Sequence, residues 1–298
     1  MRITGLHTAI VTPFLSNGEL DLPSFTRLLD LQLEANINGV VVCGSTGEGA
    51  TISTQEKITL WNTAVQHVKG RVPIIAGTGS NDTRTTIELS KSAVAAGVQA
   101  LLLVTPYYNK PTHNGLVAHF RAINDAVDIP QIIYNVPGRT AQNVPAETQL
   151  AIAEACQNVV ATKEASFNLE QMCEIIRNAP SHFTLLAGDD SLALPAIASG
   201  ATGVIAVLSN YLPRVFGLLV HAALDGNMRS AQEIQMHLMP YYKANFIESN
   251  PLPVKYLLHK LGHIELAFRL PLTVPVASTQ SKLDEVVATI NDAWTPSS

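Results

Sequence analysis

Short apolar runs alternate along the chain with longer segments whose apolar positions recur at helical spacing. The short runs are rich in Val, Ile and Leu and are continuous, which is typical of parallel strands that are buried on both faces. In chain order, the predicted strands are residues 6–12, 39–44, 73–79, 100–106, 131–137, 159–163, 183–188 and 203–209. The pattern therefore predicts a strand–helix unit repeated along the chain, which is the signature of a parallel α/β fold.

Two of the intervening segments carry clear signals for the start of a helix. Residues 22–35 place Phe25 on an apolar face and follow Asp21, a residue type that caps helix N-termini well. A second helix is predicted to begin after Ser53, which stands three residues before Glu56 in the pattern of a capping box. Both signals support helices between the predicted strands.

The number and spacing of the units favour one fold class. Eight units fit a closed (β/α)8 barrel, the TIM-barrel class, better than an open doubly wound sheet. An open sheet of the dinucleotide-binding type carries a GxGxxG turn after its first strand, whereas Thr12-Pro13-Phe14 stands there in this chain. From about residue 225 the pattern is helical only, at residues 228–243, 253–261 and 281–293. We therefore predict a barrel over residues 1–224, which carries the active site, and a C-terminal helical extension over residues 225–298.

Composition narrows the class of protein further. The chain has 298 residues, of which 47% are hydrophobic and only 14% are charged, and its formal net charge is −5. It has no run of Lys or Arg, which argues against nucleic acid or an anionic membrane as a partner. The low charged fraction suggests that another subunit covers part of the surface.

The cysteines and the N-terminus bear on location. Cys43, Cys156 and Cys173 are far apart and lack CxxC spacing, which predicts reduced thiols in a cytoplasmic protein. No apolar stretch approaches the roughly 18 residues that a membrane-spanning helix needs, and residues 1–5 lack a signal-peptide core. We therefore expect a soluble, untargeted protein. Cys43 and His7 lie in predicted strands and are predicted to be core residues.

Lys163 is the most informative single residue. It ends the apolar run at residues 159–163, and the chemistry of a (β/α)8 barrel takes place at the C-terminal ends of its strands. Removal from water disfavours the ammonium form of a lysine, and a neutral amine can form an imine with a carbonyl substrate. The alternative is a lysine that extends its charge to the surface, which is the commoner arrangement.

A glycine-rich loop follows the second predicted strand. Residues 44–49 have the sequence GSTGEG, in which the hydroxyls of Ser45 and Thr46 and the adjacent backbone N–H groups suit a carboxylate or a phosphate. The alternative is a tight turn in which Thr46 caps the next helix. The loop lacks the lysine of a P-loop, which argues against nucleotide binding.

The fourth and fifth strands add aromatic and basic groups. Tyr107 and Tyr108 begin a stiff loop that contains prolines, and an exposed aromatic residue on such a loop is often an oligomer contact. Tyr134 could carry protons in a dry site, and Arg139 offers a planar fork for a carboxylate. The alternatives are a core tyrosine and a surface arginine.

The spacing of histidines and carboxylates along the chain does not predict a metal site. The nine histidines show neither HxH nor HExxH spacing, and the pair Asp189 and Asp190 lacks further ligands. We therefore expect neither a metal nor a cofactor. The remaining groups suggest imine chemistry on a small keto acid, in which Lys163 is the nucleophile, Thr46 the carboxylate anchor and Tyr134 the proton carrier.

Motifs along nearly the whole chain also resemble a known family. In order, they are GSTGE at 44–48, YYNKP at 107–111, YNVPGRT at 134–140, KEAS at 163–166, GDD at 188–190, GVI at 203–205, NPLPVK at 250–255 and RLPL at 269–272. The sequence resembles the family of dihydrodipicolinate synthases and N-acetylneuraminate lyases, and the synthase branch in particular.

The resemblance implies an activity and a set of catalytic residues. The protein would condense pyruvate with L-aspartate 4-semialdehyde in lysine and diaminopimelate biosynthesis. Lys163 matches the family's Schiff-base lysine, whose pyruvate imine becomes an enamine and attacks the aldehyde. Tyr134, Ser45 and Tyr108 match the family's proton relay, in which the second tyrosine comes from a neighbouring subunit.

The resemblance also implies how the substrates bind. Thr46 matches the residue that holds the pyruvate carboxylate, and Ile205 matches a residue whose backbone carbonyl faces the pocket. Arg139 matches the arginine at the mouth of the pocket that receives the carboxylate of the semialdehyde. Members of this family are usually homotetramers, built as a dimer of tight dimers.

Two departures from the family pattern bear on function. Ser45 stands where synthases usually have threonine, and serine at this position is commoner in the lyase branch. Arg139, by contrast, favours the synthase branch. Thr54, Lys57 and Thr85 occupy positions where some synthases use histidines and a glutamate to bind inhibitory lysine. Because the ammonium of Lys57 would repel a cationic effector, we expect weak or absent inhibition by L-lysine.

Two alternative functions remain open from the sequence. One is a pyruvate-dependent aldolase of the same family that acts on another aldehyde, of the sugar-acid or hydroxy-oxoglutarate type. The other is a non-catalytic barrel that serves as a sensor or scaffold. Arg139 and Tyr108 argue against the first alternative. The joint retention of five site residues argues against the second: Lys163, Tyr134, Ser45, Thr46 and Arg139.

Overall fold

Eight parallel strands close into a barrel in which each strand pairs with its neighbours in sequence and the last pairs with the first. The computed structural model describes residues 2–296. The strands are β1 Gly5–Ala9, β2 Gly39–Val42, β3 Ile74–Gly77, β4 Ala100–Val104, β5 Gln131–Asn135, β6 Val159–Glu164, β7 Thr184–Ala187 and β8 Gly203–Ala206. The closed order confirms the predicted (β/α)8 TIM barrel.

Helices connect the strands and continue past the last of them. Those associated with the barrel are α1 Leu22–Glu34, α2 Thr54–Val68, α3 Thr83–Ala95, α4 His113–Ala126, α5 Pro137–Thr140, α6 Ala146–Ala155, α7 Leu169–Asn178, α8 Ala193–Ala198 and α9 Pro213–Leu224. The C-terminal helices are α10 Met228–Ala244, α11 Leu252–Lys260 and α12 Ala277–Val287. Helix α10 packs on α9, and α11 packs on α12.

The two predicted helix starts are confirmed by their hydrogen bonds. Asp21 caps α1, since its Oδ1 accepts from the backbone N–H of Ser24 at 3.0 Å. At α2, Ser53 Oγ accepts from the backbone of Glu56 at 3.3 Å, and the carboxylate of Glu56 accepts from the backbone of Ser53 at 2.9 Å. Each side chain therefore satisfies N–H groups that the first helical turn leaves without a partner.

Most predicted strands were too long at their C-terminal ends. The second was predicted to reach Gly44, but β2 ends at Val42 and Cys43 has a φ of 61°. The apolar pattern continues past the last ladder residue because the loops that follow the strands are also buried. The sixth strand shows the opposite error, because β6 runs one residue past Lys163 to Glu164.

The last helix was misplaced by the sequence pattern. It was predicted over residues 281–293 but occupies Ala277–Val287. The Ser and Thr residues at 278, 279 and 281 favour turns in isolation, yet they lie within the helix. At its C-terminal end the helix stops before Asp292. Asp292 Oδ1 instead accepts from the backbone N–H groups of Arg214 and Val215 at 3.0 and 3.1 Å.

The core has two layers that meet at the strands. One layer lies between strands and helices and includes the largest buried side chains, among them Trp61 and Phe120. The other fills the barrel interior with residues such as Val41, Ile132 and Ile205. His7, predicted as core, is 1% exposed, and burial lowers its pKa to about 4.

Within residues 2–296, none of the helices combines the length and apolar character that crossing a membrane requires.

Candidate active site

The barrel brings Lys163 and Tyr134 together at the C-terminal ends of neighbouring strands. The two residues face each other in the β5–β6 register, and Lys163 Nζ lies 4.5 Å from the centroid of the Tyr134 ring. Lys163 is only 4% exposed and Tyr134 is also buried. Among the described residues, no acidic side chain forms an ion pair with Lys163. The amine is therefore removed from water and lacks a carboxylate in direct contact.

A buried carboxylate lies on the other face of β6, directly after Lys163. Glu164 is fully buried and accepts hydrogen bonds from the amides of Asn135 at 3.0 Å, Gln149 at 2.7 Å and Gln171 at 2.9 Å. The donors come from β5, α6 and α7, and Asn135 is the residue after Tyr134. Such bonds to a charged acceptor are stronger than neutral ones. They fix the strand ends at the point where Lys163 and Tyr134 meet.

A cavity of about 450 Å³ opens beside this pair. Of the residues predicted from the sequence, Ser45, Tyr134 and Arg139 line it. Lys163, Thr46 and Ile205 are buried and lie outside the lining, so Tyr134 is the member of the pair that reaches the cavity. Among the described residues, no hydrogen bond joins the Ser45 hydroxyl to Tyr134, so the predicted proton relay is not connected within one chain.

The glycine-rich loop is held in an unusual backbone conformation. Glu48 has a φ of 53°, in the left-handed region that few residues other than glycine adopt. A Cβ on Gly49 would lie 2.3 Å from the carbonyl oxygen of Cys43, so this close approach requires glycine. Burial raises the pKa of the Cys43 thiol to about 12, which agrees with its prediction as a core residue rather than a nucleophile.

A second buried lysine, Lys255, forms an ion pair with the glycine-rich loop. Lys255, on α11, is fully buried, and its Nζ lies 2.5 Å from Glu48 Oε1. The same ammonium lies over the ring of Phe14, 4.5 Å from the centroid. Arg269 adds a backbone N–H bond to Glu48 Oε2 at 3.3 Å. The C-terminal helices therefore hold the loop that carries Ser45.

Arg139 stands at the edge of the cavity on the short helix α5. Its side chain is exposed, and one guanidinium nitrogen donates to the carbonyl oxygen of Asn250 at 2.8 Å. Asn250 also lines the cavity, and its side-chain Nδ2 donates to Thr46 Oγ1 at 2.9 Å. Asn250, two residues before α11, thus contacts two of the predicted carboxylate-binding residues.

Tyr108 points away from the cavity of its own chain. It is 89% exposed and has a φ of 70°, whereas its neighbour Tyr107 is 40% exposed and lines the cavity. A large aromatic side chain left this exposed is typical of an interface residue. The structure therefore does not bring Tyr108 to Tyr134 within one chain.

The acidic pair after β7 is buried rather than arranged around a metal. Burial raises the pKa of Asp189 to about 7 and that of Asp190 to about 6, against the opposing charge of Lys163. Asp190 accepts from the backbone N–H groups of Val207 and Leu208 at 3.0 and 2.7 Å. Over residues 2–296, no cluster of His, Cys, Asp or Glu could hold a metal ion.

Sequence reasoning missed several of the polar residues around this site. Glu164, Lys255 and Asn250 belong to motifs that carried the family resemblance, but no chemical role was inferred for them. Their types and spacing contain no signal of contact, because their partners lie far away in the chain. Asn250 and Thr46, for example, are 204 positions apart.

Comparison with known proteins identifies the family. The profile of the dihydrodipicolinate synthetase family matches residues 2–292. The chain therefore belongs to the dihydrodipicolinate synthetase family, as its motifs suggested.

Relatives match over nearly the whole length. The chain is similar to the 4-hydroxy-tetrahydrodipicolinate synthase of Maridesulfovibrio salexigens, with 44% identity over 284 residues that cover 95% of this chain and 97% of the relative. The crystal structure of dihydrodipicolinate synthase from Aquifex aeolicus has a TM-score of 0.94 at 41% identity, covering 96% of this chain and 98% of that chain. The chloride-inhibited dihydrodipicolinate synthase of Acinetobacter baumannii, complexed with pyruvate, has a TM-score of 0.94 at 37% identity over 96% of this chain and 98% of that chain.

Proposed function

We propose that this protein is a 4-hydroxy-tetrahydrodipicolinate synthase, a lyase that condenses pyruvate with L-aspartate 4-semialdehyde. The observation that carries the proposal is the buried amine of Lys163 near the C-terminal end of β6, beside Tyr134, which lines a cavity edged by Arg139. The relatives that share its whole length are synthases by name. The reaction belongs to lysine and diaminopimelate biosynthesis.

The first half-reaction forms a nucleophile from pyruvate. The Lys163 amine adds to the ketone carbon of pyruvate, and loss of water gives a protonated imine. A proton then leaves the adjacent methyl group, so the electron pair of that C–H bond forms the enamine double bond and neutralises the nitrogen. The Tyr134 hydroxyl is the proton carrier at this step, because its ring already lies against the amine.

The second half-reaction uses this enamine. Its terminal carbon attacks the aldehyde carbon of the semialdehyde, which forms a C–C bond and regenerates the imine. The amino group of the added unit then attacks the imine carbon, closes the ring and displaces the Lys163 amine. Arg139 would hold the carboxylate of the semialdehyde, and Thr46 that of pyruvate, while the Ile205 carbonyl would face the pocket.

A second copy of the chain would complete the proton path. Ser45 would pass protons between Tyr134 and Tyr108 of a second subunit, which accounts for the 89% exposure of Tyr108 in a single chain. We therefore propose a homotetramer built from tight dimers. Sedimentation of the protein should show a tetramer at micromolar concentration, and a stable active monomer would contradict this arrangement.

Two measurements on the purified protein test the function. Turnover of pyruvate and L-aspartate 4-semialdehyde, coupled to the next reductase, should saturate in both substrates. Borohydride treatment with pyruvate should label the peptide that contains Lys163. A labelled protein without turnover would favour an aldolase for another aldehyde, as the serine at position 45 suggests, and an unlabelled protein would favour a non-catalytic barrel.

A further inference from the structure

Asn250 contacts two proposed carboxylate-binding residues through different atoms. Its side-chain Nδ2 donates to Thr46 Oγ1 at 2.9 Å, and its backbone carbonyl accepts from Arg139 at 2.8 Å. Asn250 is 5% exposed and lies at the edge of the cavity. A change to its side chain would therefore affect Thr46 and leave the backbone bond to Arg139 in place.

The direction of the bond to Thr46 determines what the threonine can do. A hydroxyl group has one hydrogen to donate and an oxygen that accepts. Since the Asn250 amide donates to Oγ1, the hydroxyl hydrogen of Thr46 does not point at Asn250. In the part of the chain that the structure describes, Thr46 Oγ1 donates to no protein acceptor. The hydroxyl is therefore available as a donor, which a carboxylate requires because an ionised carboxylate only accepts.

The loop that carries Thr46 has little freedom to escape this contact. Two positions further on, Glu48 is bound to Lys255 at 2.5 Å and to the backbone of Arg269 at 3.3 Å. Lys255 lies on α11, and Asn250 lies two residues before that helix begins. The Asn250–Thr46 bond and the Lys255–Glu48 ion pair therefore both connect the glycine-rich loop to the segment at residues 250–255. Together they fix the position of the Thr46 hydroxyl relative to the Asn250 amide.

Only the amide nitrogen of Asn250 takes part in the contact with Thr46. Within residues 2–296, Asn250 Oδ1 is buried without a hydrogen-bond partner. An aspartate would share this shape, but it would accept the hydroxyl hydrogen of Thr46 and remove it from the ligand. The donor group thus distinguishes asparagine from its isostere at this position.

We propose that Asn250 is a positioning residue that holds the Thr46 hydroxyl as a hydrogen-bond donor for the carboxylate of the keto acid. The inference rests on the proposed function, in which Thr46 binds pyruvate. It assigns to the C-terminal helices a direct role in recognition of the first substrate.

Asn250→Asp tests the proposal because it exchanges the donor for an acceptor at nearly constant shape. The KM for pyruvate should rise about tenfold or more, the loss expected for a hydrogen bond to a charged group. The KM for L-aspartate 4-semialdehyde should stay within about twofold, because the backbone carbonyl that binds Arg139 is retained. Borohydride labelling of Lys163 at saturating pyruvate should persist. Absence of labelling in the unaltered protein would instead count against the proposed function itself.

A double-mutant cycle with Thr46→Val separates positioning from general damage. Once the hydroxyl is gone, adding Asn250→Asp should change the KM for pyruvate by less than about twofold. Asn250→Ala removes the donor without adding charge, and the same cycle can be run with it if the aspartate variant fails to fold. Asn245→Asp is the matched control, since Asn245 is a buried asparagine at the end of α10 that does not line the cavity.

Two results would overturn the proposal. One is an unchanged KM for pyruvate in Asn250→Asp, which would mean that the amide does not donate to Thr46. The other is full multiplication of the separate effects in the double variant, which would mean that Asn250 acts elsewhere.

Discussion

Two lysines in this protein are buried, but their surroundings differ. Lys163 is the residue before the last of strand β6 and lies beside the Tyr134 ring, and among the described residues no carboxylate pairs with it. Lys255 lies on a C-terminal helix, where its ammonium contacts Glu48 at 2.5 Å and the face of Phe14 at 4.5 Å. Burial lowers the pKa of Lys255, and the charge of Glu48 opposes that shift.

The comparison of Lys163 with Lys255 shows that burial alone does not make a lysine a nucleophile. A lysine with a contacting carboxylate has its hydrogens engaged, and its charge is compensated. A lysine without one, placed near the C-terminal end of a barrel strand and beside a residue that lines the cavity, is free to attack a carbonyl. Lys163 therefore suits chemistry, and Lys255 suits structure. Five changes test this contrast, beginning with the largest expected effect.

Lys163→Ala should abolish both borohydride labelling with pyruvate and turnover, with a loss of roughly 10³-fold or more in kcat. The fold should be retained, because removal of Lys163 breaks no ion pair. Labelling is read by peptide mass, and folding by thermal unfolding. Lys260→Ala, which removes a partly exposed lysine paired with Asp284, is the control. A Lys163→Ala protein that still forms the adduct would show that another lysine is the nucleophile.

Lys255→Met should have the opposite profile. It leaves Glu48 buried without its cation, which destabilises a protein by about 3–5 kcal/mol. Adding Glu48→Gln should restore a large part of that loss, because the uncompensated charge is then gone. Urea unfolding at neutral pH measures both variants. A loss below about 1 kcal/mol for Lys255→Met would show that the pair is not important for stability.

Glu164→Gln tests whether the carboxylate behind Lys163 fixes the catalytic pair. It weakens the charge-assisted bonds from Asn135, Gln149 and Gln171 at nearly constant shape. Imine formation should slow about tenfold, because small displacements of reacting groups reduce rates steeply, while the KM for pyruvate changes little.

The matched control for Glu164→Gln lies at the opposite end of the same strand. Asn158→Ala removes a side-chain bond to the carbonyl of Val127 at 3.3 Å, just before β6 begins. It should cost stability without slowing imine formation. Equal slowing by both variants would mean that Glu164 has only a general structural role.

Asp189→Asn tests the electrostatics on the other side of Lys163. Burial raises the pKa of Asp189 to about 7 from 3.8, so the folded protein holds its proton more tightly than the unfolded chain. That contribution to stability is complete below about pH 3.8 and is lost as pH rises through about 7. Asp189→Asn should therefore be more stable than the parent at pH 8, by of order 2 kcal/mol, and similar at pH 4. Denaturant unfolding at pH 4 and pH 8 measures the difference in stability. The prediction is contradicted if the parent gains stability relative to Asp189→Asn when the pH is raised from 4 to 8.

The smallest expected effect concerns Lys57, which lines the cavity, unlike Lys163 and Lys255. Lys57 lines the cavity with Thr85, and burial lowers its pKa. Its ammonium should disfavour a cationic effector, so L-lysine should inhibit turnover weakly or not at all. Lys57→Gln should leave basal turnover near that of the parent and increase any inhibition. Micromolar inhibition of the parent in a steady-state assay would show that the prediction is wrong.

The sequence predicted the elements better than their ends. The helix starts at Asp21 and Ser53 were correct because a cap is a local interaction, complete within four residues. The ends of strands such as β2 were not, because a buried loop and a buried strand have the same apolar composition. The last helix failed at its C-terminal end, where the role of Asp292 depends on a contact with Arg214, 78 positions away.

The candidate site was predicted only in part, because some of its residues depend on contacts between distant segments of the chain. Lys163, Tyr134 and Arg139 follow or end apolar runs, and the rule that chemistry lies at the C-terminal ends of barrel strands placed them on one face. The residues that hold them gave no such signal. Glu164, for example, follows Lys163 directly, but its amide donors come from three other segments of the chain.

Three properties follow from the sequence alone: the repeated strand–helix order, the family, and the chemical types of the candidate site residues. These follow from local apolar spacing and from the order of short motifs, both of which can be read along one dimension. The three-dimensional fold was needed to show which buried lysine has a carboxylate partner, which tyrosines line the cavity, and that Asn250 contacts Thr46. Those outcomes depend on contacts between distant segments, and the closure of the barrel creates such contacts.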